Sequence, residues 1–306
     1  MGLTAFPKGV SSFGMPVLGS GDETLTTGNV FFVDSGHVEA SDANAATDPS
    51  KPAATIDGCI AKCTASNGDI IFVMPGHDEN PTSSITMDVA GVWVRGIGWG
   101  DSRPRVTFGA LAATVAMSAA GCRISNIVFD LGTVAATVTN CFNITADGCI
   151  VEKCQIEPHA TSQFTNFLTA TDAEHVVIRD NVFQGLHTAS GTSGVVVDGC
   201  DDLRIERNII MGHFTEHALD NTTPASVDEI LRAVIVGNVI HNDSSTAGDF
   251  CVELDAAATG IMVNNALSGS LALASNVDFG NMRMIENYLT DAVDVHAVVM
   301  PTTAAA

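Results

Sequence analysis

The sequence predicts an all-β solenoid, a single-stranded right-handed parallel β-helix with coils of about 27 residues. Three observations predict it. A short apolar-turn-apolar pattern recurs at a nearly fixed spacing, each period holds a further alternating segment, and Val, Ile, Thr, Gly, Asp and Asn dominate where strands and tight turns require them.

The recurring pattern is clearest in VVIRDNVFQG at 176, LRIERNIIMG at 203 and AVIVGNVIHN at 233, with weaker copies at 92, 122, 148, 260 and 282. Aligned on one turn residue, the copies place Ile97, Ile127, Cys154, Asn181, Asn208, Asn238, Asn265 and Asn287 in a column, with steps of 30, 27, 27, 27, 30, 27 and 22. The additional segments are TVAMSAAG at 114, CFNITADG at 141, FLTATDA at 167, GVVVDG at 194 and DFCVELDA at 249. They alternate apolar and polar residues, the signature of a half-buried strand. Each coil therefore carries at least two short strands.

One coil cannot bury its apolar face alone, whereas coils stacked about 4.8 Å apart pair every strand with its equivalents above and below. The five asparagines should then stack at one turn, bonding each other or the turn backbone in left-handed geometry, and Cys122 and Cys149 should stack in the bore. A leucine-rich repeat is the rival fold, since VVIRDNVF superficially matches its core. It needs a helix per repeat and heavy leucine usage, while here the other segment is strand-like and Val and Ile outnumber Leu.

Four regions follow: an arm at 1–28, a cap module at 29–76, coils over 77–292 and a tail at 293–306. The cap reads as a strand (Val30 to Val33), a polar loop, a helix at 55–65 and a strand (Asp69 to Met74). Thr55 can cap the helix, and Ile56, Ile60 and Cys63 fall on one face, with Cys59 a turn from Cys63 as packing rather than ligation. An open solenoid end exposes strand edges and apolar bore, so this helix is expected to act as a lid.

The run Val33-Asp34, Asp42, Asp48, Pro52, Thr55-Ile56, Gly68-Asp69 and Pro75-Gly76 resembles the N-terminal cap of pectate-lyase-like right-handed β-helix proteins. Over residues 29 to about 290 the chain is most similar to β-helix proteins encoded among the structural genes of tailed bacteriophages, of decoration or spike type. The resemblance implies a virion protein made in the bacterial cytoplasm and assembled as a homotrimer. Its motifs specify fold well and activity poorly.

The arm, MGLTAFPKGVSSFGMPVLGSGDETLTTG, has no periodicity but carries Phe6, Pro7, Phe13, Met15, Pro16 and Val17. A solvated tail rarely holds so many apolar residues. Two readings stand side by side: it docks on a neighbouring subunit or capsid surface, or it packs back on its own coils. The tail HAVVMPTTAAA closes the last coil or contacts a partner.

The formal net charge is −22, from 13 basic and 35 acidic residues. Such a surface repels nucleic acid and, without bridging cations, anionic polysaccharide. No stretch is long and apolar enough for a membrane span. The first residues do not read as a secretory signal, so the eight cysteines, none in a Cys-x-x-Cys pair, are expected to be reduced and not to ligate zinc.

Candidate catalytic acids are Asp198, Asp201, Asp202, Asp220, Glu253 and Asp255, because glycan-active enzymes cluster carboxylates. Turn chemistry accounts for acids at strand ends equally well. His213 and His217 flank Glu216 at metal-pair spacing, but in a loop between strands rather than on a helix. His37 and His77, beside Asp34 and Asp78, form a weaker pairing. Only Trp93, Trp99 and one tyrosine could serve as sugar platforms. The expectation is a non-enzymatic virion protein that decorates or cements the capsid, with itself and the major capsid protein or other virion proteins as partners and no cofactor or metal. The alternative is a tailspike-like or lyase-like polysaccharide-degrading enzyme, or a glycan-binding module.

Overall fold

The computed structural model describes residues 11–12, 15–16, 26–132, 138–157, 163–186, 191–221, 229–269, 277–290 and 296–299. Of the arm residues singled out above, only Met15 and Pro16 fall within them, in a two-residue strand antiparallel to Ser11–Ser12. Phe6, Pro7, Phe13 and Val17 lie outside the described residues, as does most of the C-terminal tail.

Among the described residues the chain winds into a right-handed parallel β-helix of three long parallel sheets. Sheet I runs from Val30–Val33 through Ile70–Val73 to Arg283–Ile285, sheet II from Asp78–Glu79 to Asn287–Thr290 with His296–Val299 added antiparallel at its end, and sheet III from Ile85–Met87 to Val277–Asp278. Each coil thus contributes three strands. The recurring motif spans two of them, because its turn residue bends the chain from sheet I into sheet II. In the copy at 176, Val177–Arg179 lies in sheet I and Val182–Gln184 in sheet II.

Alternation explains which side chains enter the bore. In sheet II, Val106, Phe129, Ile156, Phe183, Ile210 and Ile240 form one inward column. Phenylalanines interlock across it, with Phe129 and Phe142 at 4.8 Å between ring centroids and Phe167 and Phe214 at 5.3 Å. Cys122 and Cys149 occupy successive coils at one buried position of sheet I, as their spacing predicts, and Val176 continues that column.

The asparagine column is a continuous amide ladder. Asn238 Nδ2 donates to Asn265 Oδ1 (2.9 Å) and to Ile205 O (2.8 Å), while its own Oδ1 accepts from the backbone N–H (2.9 Å) and Nδ2 (3.0 Å) of Asn208. Asn181, Asn265 and Asn287 repeat the scheme, and all five are fully buried. Every hydrogen-bonding site of each internal amide is used. The left-handed conformation expected of these residues belongs instead to the residue before each: Asp180 (φ 56°), Arg207 (φ 53°), Gly237 (φ 67°), Asn264 (φ 59°) and Glu286 (φ 50°). The preceding residue makes the bend at the rim, which turns the asparagine inward as a bonding residue.

The cap helix, α1, is shorter than expected, Ile56–Ile60. Thr55 Oγ1 accepts from Gly58 N, and the buried Ile56, Cys59 and Ile60 join the core of the bore, as a lid requires. The cap motif proves to be a hydrogen-bonding scheme. Asp42 accepts from the Ala54 and Thr55 backbones at 2.9 and 3.0 Å, Asp48 from Ser50, and Asp69 from the Asn29 and Thr64 backbones at 2.7 Å. The two cap strands are the first two of sheet I.

Candidate functional site

Sheet III carries an outward column whose chemistry changes along the axis. Its register runs Thr169, Val196, Asp220, Glu253, Asp278, so three carboxylates occupy successive coils about 4.8 Å apart. Beside them opens a cleft of about 570 Å³ lined by Ser193, Glu216, His217, Asp220, Phe250 and Glu253, among others.

Within it, His217 Nδ1 accepts the Phe250 backbone N–H at 3.1 Å. That leaves the proton of the neutral ring on Nε2, which faces Glu253 Oε2 at 3.0 Å. The Ser193 hydroxyl donates to Asp220 Oδ2 at 2.9 Å. Burial pushes the Glu253 carboxyl above the ordinary carboxylate range; His217 opposes this, and the like charges of Asp220, Asp278 and Glu216 add to it. A carboxyl held protonated to higher pH beside a second carboxylate can serve as a proton donor, the arrangement that glycosidic bond cleavage uses.

Two loops wall the cleft, at 213–217 and 243–250, and Asn242 fastens both. Its Oδ1 accepts from Phe214 N and Ser244 N, each at 3.0 Å, and its Nδ2 donates to Phe214 O (3.2 Å) and Phe250 O (3.1 Å). Asn242 stands in register between Gly212 and Gly269, and the copy at 176 likewise ends in glycine, at Gly185. An asparagine among these glycines was the sequence signal for it.

The structure brings together Asp220 and Glu253 of the six candidate acids. Asp201 and Asp202 instead hold Arg232, at 3.2 and 2.8 Å, and the Asp202 carboxyl lies below the ordinary range chiefly because of that bond. Asp255 accepts from Ala257 N in a turn, and Asp198 ends its strand in sheet III. His213 and His217 do not converge as a pair on one partner: His217 meets Glu253 on the next coil. His77 bonds Glu79 at 3.1 Å and accepts from Ser35 N at 3.0 Å within the cap. Trp93 is buried between Arg95 and Arg123, whereas Trp99 stands 87% exposed. No group of three or more His, Cys, Asp or Glu side chains among the described residues is arranged to hold a metal ion, and no helix among them is long and apolar enough to cross a membrane.

A second cleft, of about 370 Å³, lies between His77, Arg103, Arg105, Gln155 and Glu157. There Arg105 pairs with Glu157 at 2.9 Å, and Arg103 donates to the neutral Gln155 at 3.0 Å.

The molecule has the right-handed parallel β-helix fold. Among solved structures it is similar to the pectin methylesterase from Aspergillus niger, with a TM-score of 0.50 and 15% identity over 91% of this chain and 90% of that one. A rhamnogalacturonan lyase gives a TM-score of 0.46 at 9% identity, with 90% of each chain covered. The Dettilon tailspike protein gives 0.39 at 12% identity, covering 86% of this chain and 62% of the tailspike. At these identities the likeness is one of fold. No family model and no curated protein matches the sequence.

Proposed function

We propose that the protein is a non-enzymatic structural component of a tailed-phage virion, decorating or cementing the capsid and attached through the arm at 1–28. The observation that carries this reading is the use to which the polar residues are put. The acids of the cap motif, the asparagine ladder and the Asp201–Asp202–Arg232 cluster all hold coil to coil or loop to coil. The sequence resemblance to β-helix proteins of phage structural genes, and the apolar arm, supply the virion context. Deleting residues 1–24 should abolish attachment to particles while the coils remain folded by circular dichroism; undiminished attachment sinks the arm model.

One observation favours a second reading, a glycan-active protein: the raised Glu253 carboxyl beside Asp220 in an open cleft. A panel of capsular and plant polysaccharides tests it. Turnover by the native chain that disappears in Glu253→Gln would replace the first reading with this one.

A further inference from the structure

Apolar side chains that point outward from sheet I differ sharply between its two ends. The register carries one outward column from Val30 through Ile70 and Trp93 to Ile261, and a second from Phe32 through Phe72 and Arg95 to Ile285. At the far end Ile261 and Ile285 are 36% and 50% exposed. At the cap end Ile70, Phe72 and Trp93 are only 3%, 4% and 9% exposed. They form a hydrophobic cluster separate from the bore, with Val30, Phe32 and Ile97 packed against it. Arg95 Nη1, on the same face, is also shut off from solvent and has no hydrogen-bond partner among the described residues. Ile261 has a paired strand on either side, as Ile70 and Phe72 do, so strand neighbours do not account for the difference. A cover over the cap end does.

We infer that residues 1–25 of the same chain lie over this face of sheet I in the free protein, and that attachment to a particle draws them off it. The place where the arm leaves the coils supports this. Thr26 Oγ1 donates to Gly68 O, and Asn29 O accepts from Ile70 N at 2.9 Å, so the arm departs beside the cluster. Neighbouring strands are about 4.8 Å apart, so a few extended residues of about 3.3 Å each span from Ile70 to Trp93. The arm also has the right chemistry. Phe6, Val10, Phe13, Met15 and Val17 are apolar, and residues 1–21 hold no carboxylate, so they can lie on a chain of net charge −22 without repulsion. Ser11–Ser12 pairs with Met15–Pro16 as a two-stranded hairpin, a unit that is marginal in water unless it packs on something. The inference goes beyond the proposed function and makes the two readings of the arm successive states. Docking on sheet I stands without the virion reading; only the transfer to the particle rests on it.

Trp93 reports the cover directly. Trp99→Phe leaves it as the one tryptophan, and in that background deleting residues 1–24 should shift its emission to the red and increase its quenching by acrylamide. Unchanged emission and quenching overturn the inference. Burial of Trp93 that is lost on dilution of the full chain would put another copy's arm on the face, and overturns it too. The undeleted chain gives a second measurement, because Lys8 is the only basic residue of the arm. Phe72→Asp should speed tryptic cleavage after Lys8 about tenfold or more, since cleavage follows the population of released arm. Equal rates in the variant and the wild type overturn the docking. A folded Phe72→Asp chain should also attach to particles more tightly, by about the factor through which it frees the arm; weaker attachment overturns the transfer. Undiminished attachment of the deleted chain overturns the proposed function and the transfer, while a red-shifted Trp93 in that same chain still supports the arm's place on sheet I.

Discussion

Two polar columns run along the same solenoid at the same period, and they behave oppositely. The asparagine ladder at the corner of sheets I and II is buried yet complete, because an amide is both donor and acceptor, and a stack of amides satisfies itself. The column of Asp220, Glu253 and Asp278 on sheet III cannot do this. Ionised carboxylates only accept, so stacking them sets like charges in adjacent coils, and His217 and Ser193 relieve only part of the conflict. Repetition therefore stabilises one column and strains the other. A residue placed where repetition costs stability is a better guide to activity than one where repetition helps.

The sharpest way to break the comparison is to interrupt the ladder. Asn238→Ala removes the acceptor of the Asn208 backbone N–H, the acceptor of one Asn208 amide hydrogen and a donor to the Ile205 carbonyl, all in the buried interior. At about 1 kcal/mol or more for each buried group left unsatisfied, the expected loss is at least about 3 kcal/mol in chemical denaturation. Asn287→Ala, at the far end of the ladder, orphans equivalent groups of Asn265 and Met262 but lies where the coils end, and should cost less. Equal losses at both sites would mean that the ladder is not cooperative along its length.

The acidic column predicts the opposite sign. Glu253 has its folded pKa raised, so its contribution to stability is fully present below the unfolded value of about 4.3 and is lost as pH rises through the folded value. Glu253→Gln resembles the protonated side chain and does not ionise. The variant and the wild type should therefore match in stability at low pH, and the variant should become the more stable of the two as pH rises towards neutrality, by less than about 1 kcal/mol. A variant less stable than the wild type at pH 7 would show that the His217 bond outweighs the like-charge conflict.

These two columns were also unequally legible in the sequence. The ladder could be read because its physics is periodic: identical residues at steps of 27 and 30 occupy one turn. Spacing does not carry its conformational detail, since the left-handed residue is the one before each asparagine. The cleft was legible only in pieces. His217, Asp220 and Glu253 stood among the candidates, but the coil holding His217 and the coil holding Glu253 are of unequal length, so no fixed spacing joined them. The metal-like spacing of His213 and His217 pointed to a pair with each other rather than to Glu253. Asn242, which ties the two loops together, was hidden because local pattern shows only that an asparagine replaces a glycine, not that four carbonyls converge on it.

The smallest effect belongs to a third kind of column, the exposed ion pairs along the rim. Arg232 bonds Asp202 through Nε and Nη2, both at 2.8 Å, and reaches Asp201 at 3.2 Å, but it stands on the surface. Arg207 does the same with Asp180 one coil earlier, at 2.7 and 3.0 Å. Solvent screens such pairs, so good geometry alone does not make them strong. Arg232→Gln should lower the melting temperature slightly at low ionic strength, and the difference should vanish as salt is added. A loss that persists in high salt would place Arg232 with the ladder, as a packed member of the coil, because the Leu231 backbone also leans on Asp201 at 3.1 Å and would be set loose with it.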